Sequence, residues 1–343
     1  MQLLHACRLG TGLLIALGLQ CATAQPDAPS ATPKPAAQPF DLQAHRGGRG
    51  LLPESTLVAF EAAIRLGVST LESDIAITAD GIPVLSHNPA LNPDITRDGS
   101  GQWLKTTGPL IRHLTLAQLQ GYDVGRINPA TPYAASFAQQ QAHDGQRIPT
   151  LASLFQRVNE LGAQHIEFDL ETKINPHEPD ATLAPEPFVQ TLLGVIREHG
   201  MAARVMVQSF DWRTLELLHR LAPGLRTVYL TAEFENFHTL RDGAWTAGRR
   251  LQDHELSIPK MVRASAGPAS GVTWSPAHNH LAAPQVQQAH ALGLRVIPWA
   301  VNDKAVMGRL IDWGVDGLIT DYPDRLREVM AARGMALPPG IGR

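Results

Sequence analysis

The chain has 343 residues, of which 29 are lysine or arginine and 32 are aspartate or glutamate, so its formal net charge is −3 at pH 7. This charge, together with the absence of basic runs, argues against a nucleic-acid partner. Both cysteines, Cys7 and Cys21, lie within the first 24 residues. If that segment is removed, disulfides, cysteine nucleophiles and thiolate zinc sites are all excluded.

The first 24 residues have the features of an export signal. Arg8 supplies a positive charge, residues 13–19 are apolar, and alanines at the −3 and −1 positions suit cleavage before Gln25. The apolar stretch is too short to cross a bilayer, and no other run is long enough. We therefore expect a periplasmic or secreted protein without a stable membrane span.

A lipoprotein is the alternative for this segment, with lipid attached to Cys21. Gln20 stands before that cysteine, where a small residue is expected, so we favour the cleaved signal. Residues 25–38 are rich in proline, alanine, glutamine and serine and predict a flexible linker. The folded domain is then expected over residues 39–334, with a C-terminal tail at 335–343.

Short apolar segments alternate with segments of helical period throughout this domain. Strands are predicted at 42–45, 70–76, 166–170, 204–208, 226–230, 271–275, 295–300 and 316–320, and helices at 56–66, 150–161, 187–199, 212–221, about 237–250, 282–292, 303–313 and 324–333. Eight such alternations predict an α/β protein with a closed (β/α)8 TIM barrel. An open doubly wound sheet is the alternative, but no glycine-rich dinucleotide turn follows the first strand.

A long segment interrupts the alternation at about residues 88–148. It is rich in asparagine, proline, glycine and threonine, with one helix-like piece near 115–121. Loops of this length in compact domains are usually functional or disordered. An insertion after the second strand would rise over the barrel mouth as a lid or a substrate-side element. The alternative is a surface excursion without a catalytic part.

Two acidic residues are spaced for one face of the second strand. Glu72 and Asp74 are two residues apart, so both side chains point the same way. Carboxylates that converge at a barrel mouth repel unless a proton or a cation lies between them, and Ca²⁺ or Mg²⁺ prefers such oxygen ligands. Solvent-facing acids are the alternative, which the flanking His45 and His87 make less favourable.

The segments around these residues resemble the glycerophosphodiester phosphodiesterase family. The resemblance covers roughly residues 40–330 and is most specific in four motifs, Ala44-His45-Arg46-Gly47-Gly48, Pro53-Glu54-Ser55-Thr56, Leu71-Glu72-Ser73-Asp74 and Pro83-Val84-Leu85-Ser86-His87. It implies a TIM barrel enzyme that uses a divalent cation. It also implies that the two histidines form an acid–base pair and that Arg46 binds the substrate phosphate, a task suited to its planar fork.

A further family motif, Asn-x-Glu-x-Lys, matches the predicted third strand with one departure. The match implies that Glu171 is the third metal ligand and that Lys173 faces the phosphate. Asp169 replaces the family asparagine and adds a negative charge, so it either ligates the metal or pairs with Lys173. On either interpretation we expect Asp169 to support the site rather than to bind substrate.

Three other positions, Glu54, Gln208 and Trp299, complete the predicted site. Glu54 is expected to anchor Arg46, with helix N-terminal capping as the alternative. Gln208 and Trp299 end the fourth and seventh strands and are expected to bind substrate, Trp299 beside the glycerol. Asp321, in the turn after the last strand, is expected to serve the turn rather than catalysis.

The sequence therefore predicts metal-dependent hydrolysis of small glycerophosphodiesters, such as glycerophosphocholine or glycerophosphoethanolamine, to glycerol 3-phosphate and an alcohol. One alternative is a lipid-directed barrel enzyme, related to phospholipase D or the phosphatidylinositol-specific enzymes. That alternative would need exposed apolar residues on the mouth loops, where Trp103, Leu104, Tyr133 and Phe137 are scattered among polar residues. A periplasmic protein that binds glycerophosphodiesters without cleaving them is the second alternative. Nothing in the sequence indicates the oligomeric state.

Overall fold

The computed structural model describes residues 39–342, so the predicted signal and linker lie outside the described residues. Strands in the described part are β1 (Asp41–Ala44), β2 (Thr70–Ile77), β3 (Pro83–Leu85), β4 (Glu167–Thr172), β5 (Val205–Ser209), β6 (Arg226–Thr231), β7 (Glu233–Phe234), β8 (Phe237–His238), β9 (Val272–Pro276), β10 (Arg295–Val296) and β11 (Gly317–Thr320). None of the helices within 39–342 is long and apolar enough to span a membrane.

Eight of these strands form one parallel sheet in the order β10-β9-β6-β5-β4-β2-β1-β11. Backbone hydrogen bonds join its two ends: Asp316 N donates to Val296 O at 2.8 Å, and Val301 N donates to Ile319 O at 2.9 Å. The sheet is therefore closed, and the predicted TIM barrel is confirmed. Strand β3 lies outside the circle and pairs antiparallel with β2.

The helices surround this sheet. They are α1 (Leu57–Leu66), α2 (Leu116–Leu119), α3 (Pro132–Ser136), α4 (Leu151–Glu160), α5 (Pro185–Glu198), α6 (Trp212–Leu221), α7 (Ile258–Ala266), α8 (Ala283–Ala291), α9 (Lys304–Asp312) and α10 (Pro323–Ala332). The large buried side chains Phe60, Phe155, Phe188 and Trp212 lie between helices and sheet in the main core.

One predicted helix, at about 237–250, is wrong. The chain there forms the β7–β8 hairpin and a loop, and the helix comes later, as α7. Gly243 and Gly248 both adopt positive φ angles, 82° and 85°, which a right-handed helix does not accommodate. Pro259 stands in the first turn of α7, where its missing N–H costs no hydrogen bond.

Successive side chains of each strand point alternately to the core under the helices and to the barrel interior. On β2, Leu71 and Ile75 pack in the main hydrophobic core under the helices. The alternate residues Thr70, Glu72 and Asp74 therefore point into the barrel, where they are also buried. This alternation delivers the acidic side chains to the inside of the sheet.

The insertion packs against β2 and β3 in a second hydrophobic cluster, which joins Leu91, Ile111 and Leu119 to Ala76 and Val84. The helix-like piece predicted near 115–121 is α2, which begins at a Thr115 capping box. Further along, Gln140 Nε2 donates to Arg49 O at 2.7 Å, so the insertion contacts the loop after β1 at the barrel mouth. Whether it moves as a lid stays a prediction.

Candidate active site

The turn after β1 places a histidine and an arginine at the barrel mouth. His45 begins a short 3-10 turn, and Arg46 within it adopts a left-handed backbone conformation at φ 49° and ψ 36°. Such a conformation is costly for a residue other than glycine and concentrates at functional sites. Arg46 N donates to Glu72 Oε2 at 2.9 Å, so this turn is tied directly to the acidic strand.

Three carboxylates converge beside this turn. Glu72, Asp74 and Glu171 each offer an oxygen atom, and these atoms all lie within 4.8 Å of one another. Glu72 and Asp74 are 1% exposed, and both Asp74 oxygens lack a hydrogen-bond partner among the described residues. Buried, unpartnered carboxylate oxygens at this spacing fit a hard divalent cation such as Ca²⁺ or Mg²⁺.

The electrostatics of the three acids are strongly perturbed. Burial raises the pKa of Glu72 well above its ordinary value, and the Asp74 carboxylate adds to the rise. Burial also raises the pKa of Glu171 to about 7, although Lys173 opposes the shift. Burial would raise the pKa of Asp74 too, but His87, Lys173 and Arg46 lower it below its ordinary range. The cluster therefore favours a positive charge at its centre.

Two cationic side chains border the acids. Lys173 Nζ lies 2.9 Å from Glu171 Oε1 and 3.6 Å from Asp74 Oδ1, and Arg46 Nε lies 3.4 Å from Asp74 Oδ2. These two cations offset only part of the charge of three carboxylates. Both also line the adjoining cavity, where a phosphate could contact them.

Arg46 is held from behind by Glu54. Arg46 Nη1 donates to Glu54 Oε1 at 2.9 Å, and Tyr133 of the insertion donates its hydroxyl to Glu54 Oε2. Thr56, rather than Glu54, caps helix α1 by accepting from Ala59 N. Glu54 therefore contacts Arg46, as expected from the sequence, and Tyr133 of the insertion contacts the same carboxylate.

A cavity of about 150 Å³ opens at these groups. Eight of the eleven predicted site residues line it, namely His45, Arg46, Glu72, His87, Glu171, Lys173, Gln208 and Trp299. Gln208 Nε2 donates to Glu72 Oε1 at 2.6 Å, so it also fixes one of the carboxylates. Trp299 Nε1 donates to Ser275 O at 3.0 Å, which leaves its ring at the cavity wall.

One residue that contacts His45 was not predicted as part of the site. Asp321 Oδ1 lies 2.6 Å from His45 Nδ1, and the same carboxylate accepts from Arg49 Nε at 2.7 Å and Asn302 Nδ2 at 2.6 Å. Asp321 is therefore more than a turn residue. Its position directly after β11, at the same edge of the barrel as the other site residues, was the available signal.

Asp321 also defines the hydrogen position on His45. Burial would raise the pKa of Asp321, but His45 and Arg49 lower it below its ordinary range, so the carboxylate is ionised. An ionised carboxylate only accepts, which places the hydrogen of neutral His45 on Nδ1. The lone pair of Nε2 then faces the site, where Nε2 lies 3.8 Å from Glu72 Oε2.

Asp321→Asn is expected to lower kcat by about 10²-fold with a smaller change in KM, because the amide can donate to His45 and stabilise the wrong tautomer. Steady-state kinetics and thermal unfolding of both variants check this. The matched control is Asp316→Asn at the opposite end of β11, where Asp316 Oδ2 contacts His290 Nε2 at 2.8 Å, away from the cavity. Equal activity losses in the two variants would show that Asp321 acts only on stability.

Asp169 does not have either of its predicted contacts. It is outside the acidic triad, and Lys173 pairs with Glu171 and Asp74 instead. Asp169 precedes Glu171 by two residues on β4, so it lies about 6.6 Å closer to the N-terminal end of the barrel. It is fully buried, and burial together with Asp41 raises its pKa well above the ordinary value.

Asp169→Asn is accordingly expected to stabilise the protein at pH 8 by about 1–3 kcal/mol, because it removes a buried acid whose oxygens lack partners. A raised pKa means that the folded protein holds the proton more tightly, so the wild-type chain loses stability as the pH rises from about 4. The gain in melting temperature should therefore be larger at pH 8 than at pH 5. Asp180→Asn, on an exposed loop, is the control.

Metal affinity should be unchanged in Asp169→Asn. A lower melting temperature at pH 8, or weaker Ca²⁺ and Mg²⁺ binding by titration calorimetry, would contradict the position of Asp169 outside the triad. Either result would indicate that Asp169 contacts the cation.

Comparisons with known proteins agree with this geometry. The model of the glycerophosphoryl diester phosphodiesterase family matches residues 45–325. A glycerophosphodiester phosphodiesterase from Bacillus subtilis (strain 168) is 30% identical over 289 residues, which are 83% of this chain and 85% of that protein. The residues matched by the family model run from His45 past the last strand, β11.

Solved structures share the fold. A structure from Silicibacter pomeroyi DSS-3, assigned to the glycerophosphoryl diester phosphodiesterases, has a TM-score of 0.76 and 32% identity, with 87% of this chain and 95% of that chain covered. A phosphodiesterase from Oleispira antarctica, solved with its product sn-glycerol-3-phosphate, has a TM-score of 0.59 and 22% identity, with 85% and 96% covered. The predicted family and the prediction of an enzyme are confirmed: the chain belongs to the glycerophosphoryl diester phosphodiesterase family.

Proposed function

We propose that this chain hydrolyses small glycerophosphodiesters to glycerol 3-phosphate and an alcohol, with a divalent cation, Ca²⁺ or Mg²⁺, held by Glu72, Asp74 and Glu171. The observation that carries the proposal is the convergence of these three carboxylates within 4.8 Å, beside a cavity that both His45 and His87 line. A bound cation would neutralise charge on the phosphoryl oxygens and help to orient the diester.

The side chains around the cavity supply the remaining requirements of diester cleavage. Arg46 and Lys173 would hold the phosphate, Arg46 with its guanidinium fixed by Glu54. His45 directs its Nδ1 hydrogen to Asp321, so its Nε2 is suited to accept a proton from the attacking nucleophile. His87 would donate one to the leaving alkoxide.

The lipid-directed alternative has less support. Large apolar side chains of the insertion pack against the protein instead of forming an exposed apolar surface. Phe137 is 8% exposed, Leu104 packs on the cluster that contains Leu91 and Ile111, and the Tyr133 hydroxyl donates to Glu54. A binding protein without activity would not require two histidines at the cavity. We therefore favour hydrolysis of soluble diesters.

The test is an assay of purified protein with glycerophosphocholine, glycerophosphoethanolamine and glycerophosphoglycerol in the presence of Ca²⁺ or Mg²⁺. We expect release of glycerol 3-phosphate, measured by a coupled dehydrogenase. Detergent-dispersed phosphatidylcholine and phosphatidylinositol are the comparison substrates. Cleavage of these lipids without cleavage of the soluble diesters would support the lipid-directed enzyme, and binding without cleavage would support the binding protein.

We also propose that the protein is exported. The support is the charged, apolar and small-residue pattern of the first 24 residues and the absence of cysteine after Cys21. Expressed in a bacterium, the protein is expected to appear in the periplasm or medium with Gln25 as its first residue, as intact-mass measurement would report. A diacylglyceryl group on Cys21 would contradict the cleavage and support a lipoprotein.

A further inference from the structure

A second cavity adjoins the catalytic one. Its volume is about 420 Å³, and it shares His87, Glu171, Lys173, Phe210 and Trp299 with the smaller cavity as common lining. A diester whose phosphate lies beside Arg46 and Lys173 would therefore project one of its two ester groups into this space. Because His87 borders both cavities, the group in the larger one is best placed to be the leaving alcohol.

The walls of this second cavity are aromatic. Five side chains form what we call the aromatic pocket: Phe210, Phe234, Phe237, Trp245 and Trp299. They come from the end of β5, from the β7–β8 hairpin and its following loop, and from the chain after β10. Phe210 and Trp245 are buried in a small hydrophobic cluster, Phe237 and Trp299 pack against that cluster, and Phe234 is exposed.

The rings are set nearly at right angles to one another. The centroids of Phe210 and Phe237 are 4.9 Å apart at 76°, those of Phe210 and Trp299 are 5.4 Å apart at 84°, and those of Phe237 and Trp245 are 5.5 Å apart at 89°. Mutual edge-to-face packing holds these walls rigid without a ligand. Because the rings touch one another, a bound group would lie beside them in the cavity, where rings of different orientation form its wall.

Carboxylates complete the lining. Glu178 lies on the exposed side of the pocket, and Glu171 lies on the catalytic side, where Lys173 Nζ pairs with it at 2.9 Å. The two asparagines of the pocket use their Oδ1 atoms, since Asn88 Oδ1 lies 3.3 Å from His87 Nδ1 and Asn175 Oδ1 accepts from His177 N at 3.0 Å. The pocket is thus lined mainly by aromatic surface, with the Glu178 carboxylate at its exposed edge.

This chemistry discriminates among alcohols. Along the aromatic walls a polyol would lose hydrogen bonds to water that the rings cannot replace, and a primary ammonium group would lose each N–H bond to water that a carboxylate does not replace. A quaternary ammonium group has no N–H to satisfy, and its charge is attracted by ring faces and carboxylates. A neutral branched alkyl group of the same shape would gain only the contact with apolar surface.

We propose that the aromatic pocket is a specificity site for diesters whose alcohol carries a quaternary ammonium group. The proposal rests on the proposed diester hydrolysis and names the alcohol that the site selects. Among soluble glycerophosphodiesters, the chain then prefers the choline ester through Phe210, Phe234, Phe237, Trp245 and Trp299.

The experiment compares kcat/KM for four diesters that differ only in the alcohol: choline, its neutral isostere 3,3-dimethylbutanol, ethanolamine and glycerol. We expect the choline ester to exceed each of the others by about tenfold, the range of a desolvated cation–π contact. Phe234→Leu and Phe237→Leu should each reduce the ratio of choline ester to isostere. Phe40→Leu, before β1 at the far end of the barrel, should leave that ratio unchanged.

Because the ratio compares two substrates of one preparation, partial unfolding of a variant does not alter it. Equal kcat/KM values for the choline ester and its isostere in the wild-type protein would overturn the proposal and leave an apolar alcohol pocket. An unchanged ratio in both phenylalanine variants would overturn it as well. If none of the four diesters is cleaved, it is the proposed hydrolysis that fails.

Discussion

Chelation of divalent cations with EDTA is expected to abolish diester hydrolysis, and Ca²⁺ or Mg²⁺ in excess is expected to restore it. Glu72, Asp74 and Glu171 hold their oxygens within 4.8 Å of one another, and Lys173 and Arg46 balance only part of their charge. Without a cation the acids favour protonation or separation, and the phosphate of a substrate would meet their negative charge. Full turnover in chelator, with elemental analysis finding no metal, would contradict this.

A second readout separates metal binding from catalysis. A cation that binds only the folded protein raises the melting temperature as its concentration exceeds the dissociation constant. We expect this rise in the wild-type chain and a much smaller one in Glu72→Gln, which keeps the shape of the side chain but removes a charged ligand. Glu167→Gln is the matched control, because Glu167 begins β4, away from the triad, and pairs with Arg226 at 2.8 Å.

Local periodicity predicted the barrel and the shared face of Glu72 and Asp74, and the family motif predicted Glu171. Alternation on β2 and β4 assigns Glu72, Asp74 and Glu171 to the inner face whatever the packing of the helices. The same period could not place Asp169, since it defines the face of a strand but not the depth at which a side chain lies. Depth along the strand separates Asp169 from the acidic triad.

The missed and mistaken elements depend on contacts between distant residues. Asp321 is 276 residues from His45 in sequence, and only the closure of the barrel by β11 brings them together. The helix expected at 237–250 failed because the chain reverses in a tight hairpin there, so that Phe237 packs against Phe210 of another segment. Tertiary packing outweighed local helix propensity.

His45→Ala and His87→Ala are each expected to lower kcat by about 10²- to 10⁴-fold, the range for losing one general acid or base. Both imidazoles line the cavity beside the carboxylates. His143→Ala is the control, since His143 is exposed on the insertion. Melting temperatures should distinguish lost chemistry from lost folding.

The two histidines should differ in how their loss depends on the alcohol. His87 borders the aromatic pocket as well as the catalytic cavity, so it is positioned to protonate the leaving alkoxide. A nitrophenolate leaves without protonation, because its oxygen is far less basic than that of an aliphatic alkoxide. The defect of His87→Ala should therefore shrink on a nitrophenyl diester relative to the choline ester, whereas the defect of His45→Ala should not.

The reverse pattern would exchange their roles, with His45 as the donor and Asp321 stabilising its protonated form. Equal defects of His87→Ala on both substrates would make His87 the base or a structural residue. Comparison of kcat for two substrates and two variants thus decides the direction of proton transfer across the site. The contact between His45 Nδ1 and Asp321 Oδ1 at 2.6 Å favours His45 as the acceptor, because the carboxylate stabilises the charge that a proton on Nε2 would create.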